Sequence, residues 1–125
     1  MHLQDLPALG AALDAGIFAG LTTKPDGTHC AVVLLPDQPG GKLTWQQAVE
    51  WAQGVQGELP SRPVSALLFA NARDQFERVW HWTNEQHEDD GSYAWGQHFH
   101  GGLQGNFPRS YGGRARPVRL IPLAL

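Results

Sequence analysis

The chain has 125 residues, of which 42% are hydrophobic and 17% charged, with 15 glycines and 9 prolines. This length suits one domain with its own core, and the composition excludes a disordered chain and favours a turn-rich α+β fold. The formal net charge of −3 argues against nucleic acid as the main partner. The single cysteine, Cys30, excludes an intrachain disulfide and predicts a buried, inert thiol.

The sequence also limits where the protein is expected to work. No apolar stretch is long enough to cross a bilayer as a helix, and the N-terminus lacks the basic-then-apolar layout of a signal peptide. We therefore expect no membrane partner and a chain that folds in a reducing cytosol. Later export or assembly into a particle stays open.

The first part of the chain predicts a short helix and a hairpin. Asp5 can cap a helix that carries Leu6, Leu9 and Leu13 on one face. Residues 17–22 read as a strand, and the apolar run 30–35 predicts a second strand that is buried on both faces. Residues 24–27, Lys-Pro-Asp-Gly, have the chemistry of a tight turn and would join the two strands.

Two helices are predicted next. Thr44 and Gln47 have capping-box spacing, and apolar residues follow at helical intervals: Trp45, Ala48, Val49, Ala52 and Val55. Ser61 can cap the second helix, whose first turn tolerates Pro63. Its inner face is predicted to carry Val64, Leu67 and Leu68.

The stretch 80–119 holds three of the five tryptophans and predicts short strands at 80–83, 93–99 and 114–121. Period-two alternation assigns one set of side chains to the core: Trp80, Trp82, Trp95 and Phe99. The opposite face would then be open to a partner and would show His81, Thr83, Ala94, Gly96, His98 and His100. In the last strand, the arginines 114, 116 and 119 are predicted to act as scaffold, pairing with acids such as Asp74, Glu77 or the 88–90 loop.

Candidate metal ligands and catalytic groups lie in the same stretch. His98 and His100, with His81 and His87 nearby, leave a zinc site as an alternative, and the acidic loop 85–91 leaves calcium as another. Neither spacing matches a known metal signature, so we expect no metal and no cofactor. The chain also lacks a nucleophile elbow, a phosphate loop and a metalloprotease helix, which predicts a protein that is not an enzyme.

Five segments in order resemble a family of bacterial and bacteriophage domains related to the C-terminal domain of the Lcl collagen-like adhesins. They read LTWQQAVEWA, GELPSRPVSALLFAN, WHWTNEQ, SYAWGQHFHGGLQG and RARPVRLI, and the preceding AGLTTKPDGTHCAVVLLP is similar to the hairpin of the phage members. The resemblance covers residues 15–121 of a single domain, with residues 1–14 as an N-terminal extension.

The resemblance implies a C-type-lectin-like fold, in which two helices pack on small antiparallel sheets, the N- and C-terminal strands pair, and long loops carry the binding surface. Two features of the superfamily are missing. The formylglycine-generating relatives use paired cysteines, and this chain has only Cys30. The Glu-Pro-Asn type triplet of calcium-dependent lectins is absent too.

The sequence therefore predicts a non-catalytic binding module of phage or prophage origin, cytoplasmic in the host or virion-associated. Loops 83–93 and 100–112 would meet a protein or a glycan partner. One alternative is a small intracellular phage protein that inhibits or redirects a host protein with the same surface; another is a metal-dependent lectin or enzyme that uses the histidine and acidic cluster. The predicted binding residues are Thr83, Asn84, Glu85, Gln86, His87, Tyr93, His98, His100, Asn106, Arg109 and Tyr111.

Overall fold

The structure, a computed structural model, describes residues 1–124 and confirms the α+β prediction of two helices with two small antiparallel sheets. The elements in chain order are β1 (Ala12–Leu13), β2 (Gly16–Thr23), β3 (His29–Leu34), α1 (Trp45–Gly54), α2 (Arg62–Ala72), β4 (Trp80–Gln86), β5 (Tyr93–His98), β6 (Gln104–Pro108) and β7 (Val118–Pro122). The first sheet has the order β1-β2-β3-β7, and the second has the order β4-β5-β6. No helix within residues 1–124 is long and apolar enough to cross a membrane.

The central hairpin of the first sheet, β2 and β3, matches its prediction. The turn at 24–27 joins β2 to β3, and the run 30–35 is buried throughout because both faces of β3 are covered. Cys30 lies in this run and is a buried free thiol. The last strand, β7, pairs antiparallel with β3, so the closing strand lies beside the N-terminal hairpin.

Both predicted helix caps are present. The Thr44 hydroxyl accepts from the Gln47 backbone N–H at 3.4 Å, and the Gln47 side chain accepts from the Thr44 N–H at 3.0 Å. The Ser61 hydroxyl accepts from the N–H of Val64 at 3.3 Å, and a proline stands in that first turn. Helix α1 packs on the second sheet, while α2 packs on the first sheet and on part of the second.

The predicted N-terminal helix is wrong. Asp5 ends a single 3-10 turn, Leu3–Asp5, and residues 12–13 form the short strand β1 beside β2. Gly10 between them has a φ of 85°, a left-handed conformation that a right-handed helix cannot contain. The apolar residues of this segment therefore do not share one helical face.

Two boundaries near the C-terminus also differ from their prediction. Residues 104–108, expected as part of a loop, form the edge strand β6. The strand expected at 114–121 begins only at Val118, preceded by an isolated bridge between His81 and Arg114. Pro117, directly before it, has no N–H to give to a ladder.

The predicted faces of the second sheet are wrong by one residue. Trp82 stands opposite Gly96, which places Trp82 and Trp95 on opposite faces. A Cβ at Gly96 would lie 2.9 Å from ring atoms of both Trp80 and Phe107, so the glycine gives these stacked rings their space. One face, the packed face, carries Trp80, Trp82, Ala94, Gly96 and Phe107, and the other, the polar face, carries His81, Tyr93, Trp95, Gln97, Gln104 and Asn106.

The three arginines near the C-terminus act within the scaffold. Arg114 forms the predicted ion pair with Glu77, with 3.1 Å between Nε and Oε2, although the N–H direction does not give a hydrogen bond. Arg119 pairs instead with Asp14 at 2.8 Å. Arg116 is buried and donates to the carbonyls of Gln75 and Leu35; burial lowers its pKa, against a smaller opposing effect of Asp37.

Candidate functional site

One half of the polar face of the second sheet is open to solvent. At one end, His81 lies against Phe76 and Phe99 and is buried. At the other end, Tyr93 is 37% exposed and Asn106, the cross-strand neighbour of Trp95, is exposed as well. This open half is the candidate functional site.

Trp95 stands at its centre and is held in place on its ring and at its polar tip. The guanidinium carbon of Arg62 lies 3.5 Å from the ring centroid, and the His87 ring stacks at 5.9 Å with an interplanar angle of 12°. The indole N–H donates to the Glu88 carboxylate at 3.3 Å. Cation–π contacts at partly exposed sites contribute about 1 kcal/mol each, so Trp95 forms a fixed, partly exposed aromatic surface.

The loop beside Trp95 is ordered by its own side chains. Nδ1 of His87 accepts from the N–H groups of Asp89 and Asp90 at 3.1 and 3.2 Å. The Asp90 carboxylate accepts from the hydroxyl and the N–H of Ser92, and these bonds lower its pKa. The pKa of Glu88 is lowered by its own backbone N–H and then by the Trp95 indole. Both carboxylates therefore stay ionised at the rim of the open half.

A cleft of about 870 Å³ adjoins the open half through Arg62. The segment 58–60 crosses between the sheets beside it, because Glu58 pairs with Val118 and the Pro60 carbonyl accepts from the Asn84 N–H at 2.9 Å. The cleft is lined by Thr22, Thr23, Lys24, Pro25, Glu58, Ser61, Arg62, Pro63, Val64, Ala66, Asn84, Glu85, Gln97, Gly102, Gln104 and Leu120.

A closed amide network forms one wall of the cleft. Nε of Arg62 donates to the Gln104 side-chain oxygen at 2.9 Å, and the Gln104 amide donates to the Gln97 side-chain oxygen at 2.9 Å. The buried Gln97 amide donates in turn to the carbonyl of Gly102 at 2.9 Å. A polar network whose members are all satisfied is rigid, so this wall is preformed.

The N-terminus of α2 also faces this region, but it already has an anion. The Glu85 carboxylate accepts from the backbone N–H of Arg62 at 2.7 Å. Helix N-termini attract anions because their first N–H groups have no intrahelical partner. Here a side chain of the protein itself occupies that position.

The predicted metal ligands do not converge as expected. Strand β5 ends at His98, so His100 lies in the following turn and the two do not share a strand face. His81 lies on the polar face and His98 on the packed face, opposite Trp80. Burial lowers the pKa of His81 to about 4, which keeps its ring neutral, and its Nδ1 lies 3.0 Å from the Val79 carbonyl.

A different group of potential ligands comes together in the loop. Within residues 1–124, donor atoms of His87, Glu88 and Asp89 lie within 4.8 Å of one another. Nδ1 of His87 is already an acceptor for two backbone N–H groups, and Glu88 accepts from Trp95. These contacts account for the cluster without an ion, and the expectation of a metal-free protein stays a prediction.

Five of the predicted binding residues come together around the open half and the cleft. His87, Tyr93 and Asn106 surround Trp95, while Asn84 and Glu85 line the cleft. Gln86 is exposed at the end of β4, between these two groups.

Five other predicted residues lie elsewhere or act in the scaffold. Thr83 is fully buried, and its hydroxyl donates to the Trp95 carbonyl at 2.9 Å within a bulge, so its assignment to the surface is wrong. Arg109 donates to Gly91 and lies over the Trp45 ring. His98 lies on the packed face, His100 lies in the turn after β5, and Tyr111 lies in the loop after β6.

The prediction missed three residues that build the site: Arg62, Trp95 and Gln104. Period-two alternation predicts Trp95 in the core, and the observed register, shifted by one residue, places it on the polar face. Ser61-Arg62-Pro63 showed only a helix start, and nothing local indicates that Arg62 reaches a residue 33 positions later. The small residues Ala94 and Gly96 could have indicated the correct register. Small side chains opposite two tryptophans leave room for the rings to pack closely, which favours placing 94 and 96 on the same face as Trp80 and Trp82.

The sequence matches no protein-family model and no curated protein. The resemblance to the adhesin-related phage domains therefore stays a prediction. A functional assignment depends instead on the arrangement of side chains around Trp95.

Proposed function

We propose that this protein is a non-catalytic binding module that presents the open half of its second sheet and loop 86–93 to a protein or glycan partner. The observation that carries the proposal is Trp95, which is partly exposed and fixed by Arg62, His87 and Glu88. A partly exposed aromatic ring that is already immobilised loses little conformational entropy on binding, and the affinity gains accordingly.

The residues around Trp95 have the chemistry of a recognition surface. Tyr93 offers an exposed ring with a hydroxyl, and Asn106 offers an amide with donors and acceptors. Tyrosine, tryptophan and arginine dominate the energetics of interfaces because each combines a large apolar body with a polar tip. The hydrogen bonds of this surface hold loop 86–93 and the Trp95 ring in place, and we propose binding without catalysis.

The proposal extends to fold family and origin. Two helices with two small antiparallel sheets, and a closing strand beside the N-terminal hairpin, are in keeping with a C-type-lectin-like domain. With the resemblance in residues 15–121, this supports a phage or prophage protein that acts in the host cytoplasm or on the virion. A host-protein inhibitor would use the same surface and differ only in its partner.

Two parallel searches with the same variants test the proposal: a glycan array and a pull-down from bacterial lysate. We expect the wild type to bind in one of them, and Trp95→Ala to lose that binding while keeping a cooperative thermal transition. Gln53→Ala, at an exposed position of α1, is the matched control and should bind as the wild type does. Binding that survives in Trp95→Ala and in Tyr93→Ala would contradict the proposed surface.

A further inference from the structure

The outer edge of β7 is paired at both ends and open in the middle. Val118 exchanges two backbone hydrogen bonds with Glu58, at 2.8 and 2.9 Å, and the N–H of Ala124 donates to the Met1 carbonyl at 2.7 Å. On the other side of the strand, the Pro117 carbonyl and the Leu123 N–H bond towards β3, at Leu35 and His29. In β7, the backbone N–H and C=O groups of even-numbered residues therefore point outwards, and those of odd-numbered residues point towards β3.

Leu120 therefore carries an unpaired outward N–H and C=O. Neither group has a backbone or side-chain partner among residues 1–124 outside the β3–β7 ladder, in which Leu120 stands opposite Val32. The next outward residue, Pro122, has no N–H to offer. An open position in an otherwise paired edge is the place where an extended chain can be added.

That open position borders the 870 Å³ cleft. Leu120 and Glu58, the neighbour of the gap, both line it. The chain itself already fills the adjacent edge positions with short extended segments, at Glu58 and at Met1–His2. The fold thus uses this edge for short-range strand addition on both sides of the gap.

The lining of the cleft favours an uncharged occupant. Two cations, Lys24 and Arg62, are matched by two anions, Glu58 and Glu85. The remaining walls combine apolar groups with amides and hydroxyls, among them Pro25, Pro63, Val64, Gln104 and Thr22. The volume falls within the range of sites that take small ligands and short segments, roughly 300–1,000 Å³.

We propose that the cleft binds an extended, uncharged peptide segment of a partner protein, which pairs with the outer edge of β7 at Leu120. A free N–H and C=O on one residue complement the two backbone groups of one peptide residue, as in a hydrogen-bonded antiparallel pair. The inference goes beyond the proposed function, because it concerns the edge of the first sheet and does not require Tyr93 or the ring of Trp95.

A phage-displayed library of random heptapeptides, selected on the wild type, tests the proposal. Ala66 lines the cleft from an exposed position of α2, so Ala66→Trp fills it without entering the core. Ala70→Trp, also exposed on α2 and outside the cleft, is the matched control. We expect selected peptides to bind Ala66→Trp at least about tenfold more weakly than wild type and control, as measured by fluorescence anisotropy.

Synthetic versions of the selected peptide test the pairing itself. N-methylation at one position should weaken binding about tenfold, because it removes one backbone hydrogen bond, while neighbouring positions respond less. Exchange of the Leu120 amide hydrogen should be fast in the free protein and slow in the complex. Three results would overturn the proposal: no enriched peptide, equal binding to Ala66→Trp, or a complex in which the Leu120 amide still exchanges fast. A dimer of this chain that Ala66→Trp disrupts would also overturn it, since the occupant would then be a second copy.

Discussion

The two faces of the second sheet are built in different ways. The packed face is closed by aromatic rings: Trp80 stacks on Phe107 at 3.8 Å between ring centroids, and Trp82 stands edge-on to Trp80 at 4.6 Å. The polar face is closed at one end only, and amides and a stacked guanidinium continue it towards solvent. The packed face thus supplies stability, and the polar face offers a fixed surface that we propose binds a partner.

The largest expected effect comes from breaking the packed face. Trp82 is 1% exposed, and its indole donates to the Leu43 carbonyl at 2.8 Å. Trp82→Ala should lower the free energy of unfolding by about 3–5 kcal/mol, as large-to-small changes in cores do. Trp95→Ala on the polar face should cost roughly 1 kcal/mol. Urea denaturation of both variants checks the difference, and equal losses would refute the division between the faces.

The buried histidine at the closed end of the polar face gives the next effect. Burial lowers the pKa of His81 from 6.5 to about 4, so the unfolded chain binds a proton at a higher pH than the folded chain does. The contribution of neutral His81 to the free energy of unfolding is complete above pH 6.5 and decreases as the pH falls to about 4, where the decrease levels off. The full decrease in the free energy of unfolding is about 3 kcal/mol, since each unit of pKa shift corresponds to about 1.4 kcal/mol.

The measurement is the free energy of unfolding against pH for the wild type and His81→Asn. The asparagine amide can still donate towards the Val79 carbonyl and does not titrate in this range. We expect the two curves to diverge between pH 6.5 and 4, with the wild type losing more stability. Parallel curves would show that His81 does not carry this pH dependence.

A smaller effect is expected in the middle of the polar face. Gln104→Leu would leave the buried oxygen of Gln97 and Nε of Arg62 without partners, at a cost of about 1–3 kcal/mol. Asn106→Leu, exposed on the same strand, should change stability by no more than about 0.5 kcal/mol. Thermal unfolding of the pair decides whether the amide network stabilises this face or merely lines the cleft.

The β2–β3 hairpin of the first sheet and both helices could be predicted because their signals are local. Thr44, Ser61 and the 24–27 turn act through residues three or four positions away, and the run 30–35 is apolar throughout. The second sheet depends on register between distant segments, and a shift of one residue exchanges its faces. The strands that begin at Trp80 and Tyr93 are where the sequence predicts them. Which of their side chains share a face depends on Gly96, which leaves room for the Trp80 ring.

The candidate site was predicted in part for the same reason. His87 and Asn84 lie around the candidate site, since the places of the end of β4 and of the loop after it do not depend on the register of the sheet. Trp95 could not be placed, because an error of one residue in register moves it to the opposite face. Arg62 reaches the site only because α2 packs beside β5 in the folded protein. Contacts across 33 positions leave no periodic trace in a single sequence.

The smallest effect on stability, and the sharpest test of function, belongs to two exposed tyrosines. Tyr93 lies on the open half beside Trp95, whereas Tyr111 lies in the loop beyond Pro108. Replacing either by alanine should change the free energy of unfolding by no more than about 0.5 kcal/mol, since neither ring is buried.

The affinity for the partner found in the glycan array or pull-down should distinguish the two variants. Tyr93→Ala is expected to lower that affinity about tenfold or more, and Tyr111→Ala less than about twofold. Titration of both variants against that partner decides the matter. A larger loss from Tyr111→Ala than from Tyr93→Ala would move the binding surface from the sheet to the 109–112 loop.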